Sequence, residues 1–230
     1  MSLLPFSDLP PHKPRRFVPA NINLGDVTQV TPLFETLGQR LNDSKDARSL
    51  EQWLLDWGEL WAALEEEGAR RYIAMSCHTD NADAEKAYIE FIEKIEPELK
   101  QQNFKLEQAY LSHPARVQLP QSRYSVFDRR VKQHVEIFRE ENVPLETEDD
   151  RLGQQYQKLS GSLTVNFRGD EKTLVQMGRY LEEPDRPLRE EAWKLVSERR
   201  LQEKEKFEDI FDQMLGLRRS LHPSHWATRI

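Results

Sequence analysis

The chain has 230 residues, with 40 acidic against 33 basic side chains and a formal net charge of −7. That balance supplies no cationic face for phosphate and argues against a nucleic-acid partner; Arg70-Arg71 and Arg199-Arg200 sit among glutamates and read as solvated helix surface. With 32% charged residues, only 9 glycines and a mean hydropathy of −0.78, the composition favours an all-α fold of long, solvated helices over a sandwich, a barrel or a glycine-rich nucleotide fold.

Residues 1–25 carry Pro5, Pro10, Pro11, Pro14 and Pro19 without helical periodicity and are expected to form an extended or disordered leader; residues 26–219 are expected to form one helical domain. No apolar run approaches the ~20 residues that span a bilayer, and no apolar core follows a basic start, so no membrane partner and a cytoplasmic location are expected. Thr31 to Leu41 makes a first short helix. After Asn42-Asp43-Ser44, residues Leu50, Trp53, Leu54, Trp57, Leu60, Trp61 and Leu64 recur at three- and four-residue steps, which predicts a long amphipathic helix. The pairs Glu66/Arg70 and Glu67/Arg71, acid first at i,i+4, carry it through Gly68 to about Cys77. Cys77, the one cysteine, excludes an internal disulfide and is expected to be a small core residue.

Thr79-Asp80-Asn81 offers caps for a second long helix with the face Tyr88, Phe91, Ile92, Ile95 and Leu99, bent at Pro97 and closed by His113-Pro114. Val126 to Glu141 forms a third, through Val131, Val135 and Phe138, and Asn142-Val143-Pro144 punctuates it. A short helix over Asp149 to Leu159 follows, with Glu146, Glu148, Asp149 and Asp150 as a dipole-capping acidic start. Leu163-Thr164-Val165-Asn166-Phe167 alternates apolar and polar and runs into Arg168-Gly169, which predicts one small β-hairpin near 162–174. Leu174 to Leu181 returns to helix, and Asp185 caps a final long one with Pro187 in its first turn. That helix has two apolar blocks, Leu188, Ala192, Trp193, Leu195, Val196 and then Phe207, Ile210, Phe211, Met214, Leu215. They are separated by a polar stretch, which predicts a helix that leaves the core and rejoins it or that meets a partner there.

Catalytic patterns are missing. None of His12, His78, His113, His134, His222 and His225 begins H-E-x-x-H, the arrangement that puts two imidazoles one turn apart on zinc beside a glutamate that activates the bound water. His222-Pro223-Ser224-His225 sits in an irregular tail. There is no G-x-S-x-G elbow, no phosphate-cradling loop and no C-x-x-C pair. Neighbouring acids such as Glu140-Glu141 and Glu190-Glu191 diverge by about 100° on a helix and cannot serve one substrate atom together. Trp53, Trp57 and Trp61 read as core before they read as a binding stripe. The residues therefore assign no catalytic position, no metal ligand and no named substrate contact.

A resemblance extends the reading. Glu51-Gln52-Trp53-Leu54-Leu55-Asp56-Trp57 and the run from Ala63 to Asp80 resemble the early helices of bacterial oligoendopeptidase F-like zinc metallopeptidases, relatives of thimet oligopeptidase. So do Phe138-Arg139-Glu140-Glu141-Asn142-Val143-Pro144-Leu145, Tyr180-Leu181-Glu182-Glu183-Pro184-Asp185-Arg186 and Arg189-Glu190-Glu191-Ala192-Trp193. The likeness runs in order over about residues 15–219 and implies an N-terminal wall or lid of a channel that admits short peptides. It also implies a zinc held by H-E-x-x-H and a further glutamate, none of which has a counterpart here, so the chain alone is expected to be inactive and zinc-free.

Residues 220–230 form a tail unlike the family. Three origins fit it: a frameshift or premature stop, a short paralogue, or a subunit completed by a separate catalytic chain. Short peptides are then the implied partners of a completed enzyme. The alternative is a non-enzymatic helical interaction module, self-associating through exposed helix faces.

Overall fold

The computed structural model describes residues 14–78 and 80–221. Helix α1 spans Val27–Asp43 and α2 Ala47–Cys77; α3 (Ala82–Glu90) leads through a π-turn at Phe91–Ile95 into α4 (Glu96–Ser112). Helices α5 (Gln121–Ile137) and α6 (Val143–Gly161) follow, then strands β1 (Thr164–Phe167) and β2 (Asp170–Thr173), a short α7 (Leu174–Met177), α8 (Arg186–Gln202) and α9 (Lys204–Ser220). The architecture is mainly helical with one two-stranded antiparallel hairpin.

Local chemistry sets the boundaries. Asp46 and Ser49 close a reciprocal capping box on α2; the Asn81 side chain accepts from the N–H groups of Asp83 and Ala84, and Asp185 accepts from the Leu188 N–H. The hairpin pairs Thr164 with Thr173 and Phe167 with Asp170, and its two turn residues, Arg168 and Gly169, have φ of 55° and 91°. Two consecutive positive φ values mark a type I′ turn, whose twist matches the strands and which glycine enters without steric cost.

Proline explains several departures from the expected boundaries. Pro97 sits in the first turn of α4, where it has no N–H to give the Glu93 carbonyl and its ring would crowd that oxygen; the preceding turn widens, and the Glu96 N–H reaches back to the Phe91 carbonyl. Pro144 starts α6 instead of ending α5, so α6 begins at Val143, six residues before the expected Asp149. Of the acidic cluster expected to cap it, only Glu146 lies in the first turn. Helix α5 begins at Gln121, behind Pro120, and ends at Ile137, four residues before the expected Glu141, because Phe138 turns to extended backbone and stacks on Phe104 with ring centroids 4.1 Å apart. The first helix starts at Val27 behind an Asp26 cap that accepts from the Thr28 N–H. The final helix divides at Glu203, whose carboxylate is shared by Arg199 at 3.0 Å and Lys206 at 2.6 Å.

The main core joins Val30, Phe34, Leu37 and Leu41 of α1 to Leu50, Trp53, Trp57, Leu60 and Leu64 of α2, with Leu99, Leu106 and Tyr110 of α4 and Val131 of α5. A second, smaller core holds Val165, Phe167, Met177 and Ala192. Helix α9 runs along α6, where Tyr156 meets Phe207 edge-on at 5.4 Å and Arg218 pairs with Asp149 at 3.0 Å. Cys77, expected in the core, is exposed: it is the last residue of α2, beyond the packed part of that helix.

Residues 14–25 are irregular and lie on α2. Glu59 accepts from the backbone N–H groups of Arg16, Phe17 and Val18 at 2.8 to 2.9 Å, and Arg15 pairs with Glu66 at 2.8 Å. Residues 1–13, Thr79 and the expected tail from His222 lie outside the described residues.

Candidate functional site: a cleft between α2, α3, α4 and α5

The helices α2, α3, α4 and α5, with the start of α6, enclose a cleft of about 850 Å³. Its size and apolar, aromatic lining are those of a site for a small ligand or a peptide side chain. Trp57, Trp61 and Tyr72 come from α2, Tyr88 and Phe91 from α3 and the π-turn, and Phe127 and Phe138 from α5 and its end. The π-turn helps to place the second wall. It carries Phe91 across Gly68 of α2, where an added Cβ would stand 3.1 Å from the Phe91 ring. The expected mid-helix cost of Gly68 is thus met by a close contact that alanine would crowd.

The tryptophans divide their roles. Trp53 is core, its indole N–H donating to the Leu37 carbonyl at 2.8 Å. Trp57 belongs to both core and cleft, and Trp61, partly buried, lines the cleft and donates to Glu65 at 2.8 Å.

The polar groups of the cleft form a nearly closed set of pairs. Lys100 lies 3.3 Å from Glu96 and 3.3 Å from Glu146. A chain of contacts runs from Trp57, which donates to Asn103 at 2.8 Å, through the Asn103 amide, which donates to Glu107 at 3.1 Å, to a close contact between Glu107 and the Nδ1 of His134. Glu107 is buried. A buried carboxylate needs such partners, and in return it fixes the orientation of the imidazole. Arg139 donates to the carbonyls of Glu136 and Phe138. Arg130 lies over the Phe127 ring at 5.4 Å and has no carboxylate partner among the described residues.

Outside the cleft, the exposed Asp150 of α6 stands among other acids. The carboxyl of Asp150 is pushed up to about 6, by burial first and then by Glu96, against the pull of Lys100. A raised carboxyl favours the protonated form in the fold, so its contribution is present below the unfolded value near 3.8 and is lost as pH rises through about 6. Asp150→Asn is therefore expected to raise stability by roughly 1 kcal/mol at pH 7.5, screened because the residue reaches solvent, and to change nothing below about pH 4. Urea unfolding of both proteins at the two pH values checks this; an equal gain at both would assign the effect to something other than titration.

No hydroxyl or thiol among the described residues hydrogen-bonds to His134, and no three His, Cys, Asp or Glu side chains among them are grouped as a metal site. No helix among the described residues is long and apolar enough to cross a membrane. Sequence reasoning missed Asn103, Glu107, Arg130 and His134. Their only signal was spacing, each pair standing at i,i+4 on one helix.

Residues 17–138 match the family described as Peptidase M3 N-terminal domain, and all but three of the cleft's lining residues fall within that span. No curated protein matches the chain. Among solved structures, oligoendopeptidase F from Bacillus anthracis strain Ames has a TM-score of 0.80 at 19% identity, over 91% of this chain and 38% of that one. PZ peptidase A with inhibitor 2 has a TM-score of 0.79 at 21% identity, over 90% of this chain and 36% of that one. A further oligoendopeptidase F structure has 0.79 at 20%, over 90% and 37%. The chain thus spans well under half the length of these structures, and at such identities the likeness is one of fold.

Proposed function

The chain belongs to the peptidase M3 N-terminal domain family, and from that membership we propose that it is the peptide-capturing wall or lid of a zinc-dependent oligoendopeptidase. The observation that carries this reading is the coincidence of the family span, 17–138, with the helices that build the aromatic cleft. Zinc does not fit the residues at hand. The sequence has no H-E-x-x-H, and the described residues hold no metal cluster, so hydrolysis is assigned to the complete enzyme and no catalytic step to this domain. A second reading, a helical module or subunit that docks on a separate catalytic chain, draws support from Trp193, Leu201 and Phe211, which stand 60%, 66% and 62% exposed on α8 and α9.

The test is direct. Purified chain, incubated with zinc and a quenched fluorescent oligopeptide, should bind the peptide without cleaving it. Stoichiometric zinc with chelator-sensitive cleavage by the chain alone would overturn the assignment.

A further inference from the structure

We infer that the cleft recognises the free C-terminal residue of a peptide, with its carboxylate on Arg130, its backbone N–H on His134 Nε2 and an apolar side chain among Trp61, Tyr88 and Phe91. This rests on the peptide-capture reading and names the end of the peptide that is held.

Charge accounting points to a carboxylate. Every acid lining the cleft already has a partner: Glu65 has Trp61, Glu96 and Glu146 have Lys100, and Glu107 has Asn103 and His134. Among the basic groups, Lys100 is neutralised by two carboxylates and Arg139 is turned onto backbone carbonyls. Arg130 alone brings an uncommitted guanidinium to the cleft, already stacked on Phe127, and a guanidinium fork matches a carboxylate with two parallel hydrogen bonds.

His134 supplies the second point. Its Nδ1 contacts the buried Glu107 carboxylate, which accepts only, so in the neutral ring Nδ1 carries the hydrogen. In that neutral form Nε2 presents a lone pair that can take an N–H. Arg130 and His134 stand at i,i+4 on one face of α5, and both line the cleft. The aromatic lining of the cleft suits a large apolar side chain.

The experiment uses the full 230-residue chain and two acetylated tetrapeptides ending in phenylalanine, one a free acid and one an amide, with binding followed by calorimetry and by tryptophan fluorescence. The free acid should bind about tenfold more tightly, and Arg130→Gln, exposed and so harmless to the fold, should erase that preference. His134→Phe should weaken acid and amide alike, because both keep the N–H. Circular dichroism confirms that the variants are folded. Equal affinity for acid and amide, or a preference that survives Arg130→Gln, overturns carboxylate recognition while leaving peptide capture standing. Failure of both peptides to bind overturns both readings. Decanoate binding more tightly than the free-acid peptide, or a dimer that forms through the cleft and excludes peptide, gives the cleft a different occupant and also overturns the inference.

Discussion

Replacing Trp53 by alanine should remove about 4 kcal/mol of stability, because it deletes the side chain on which three helices meet. Trp53 is 1% exposed; it stacks nearly parallel on Tyr110 of α4 at 6.1 Å, tilts against Trp57 at 5.0 Å, and donates to the Leu37 carbonyl of α1. Alanine leaves a large void between packed helices and removes the second hydrogen bond on a carbonyl that keeps its helical one, and the void is the kind of cost that dominates severe core mutations. For a fold whose whole stability is about 5–15 kcal/mol, that is a large share. Trp53→Phe keeps most of the ring and loses the hydrogen bond, so it should cost about half as much. Trp193→Ala, 60% exposed, should lie within about 0.5 kcal/mol of the parent. Urea midpoints for the three variants decide the matter, and equal losses at positions 53 and 193 would refute the placement of the core. Trp57, braced by Trp53, lines the cleft, so the same variant should weaken peptide binding where the protein remains folded.

How far the sequence disclosed this depends on the range of the interactions. Helix α2 was legible because Leu50 to Leu64 repeat on one face over several turns, and the hairpin because alternation and Gly169 are local signals. Asn81 and Asp185 were legible as caps for the same reason. Pro144 was read as a stop, yet it begins a helix, and Pro97, read as a bend, widens the turn before it; which of these a proline does depends on the turn before it and on what that turn packs against. The exposure of Cys77 could not be read from its small apolar character, since α2 outruns its own core. The cleft was the least legible feature. Gly68, Phe91 and Arg130 converge from three helices, and no pattern within any one of them announces the meeting. The resemblance carried in the blocks from Glu51 onward identified the family while leaving those contacts unnamed, since such blocks record ancestry and helix packing rather than a site.

Glu59→Ala should cost about 3 kcal/mol and release the segment from Arg16 to Val18, while Glu59→Gln, which keeps an acceptor but loses the charge, should cost about half of that. Three consecutive backbone N–H groups converge on one carboxylate, and the Phe17 and Val18 donors are part-buried, so water cannot fully replace it. Burial by itself would push the Glu59 carboxyl up; the three N–H donors and the charge of Arg15 outweigh it and hold the carboxyl below its ordinary 4.5. The sign follows: a lowered carboxyl contributes stability that is present above about pH 4.5 and is lost as pH falls through the folded value. Hydrogen exchange at residues 16–18 should therefore be slow at pH 7, fast in Glu59→Ala at every pH, and accelerated in the parent protein only under acid conditions once intrinsic rates are corrected. Protection at 16–18 that is the same in parent and variant would show that the segment is held by Val18 and Leu24 packing instead. The family span begins at Phe17, within this clasp, so the segment that Glu59 ties down is the first part of the domain and not an appendage to it. A clasp on one face of α2 and a cleft on another make that single helix the frame on which both the fold and its proposed function depend.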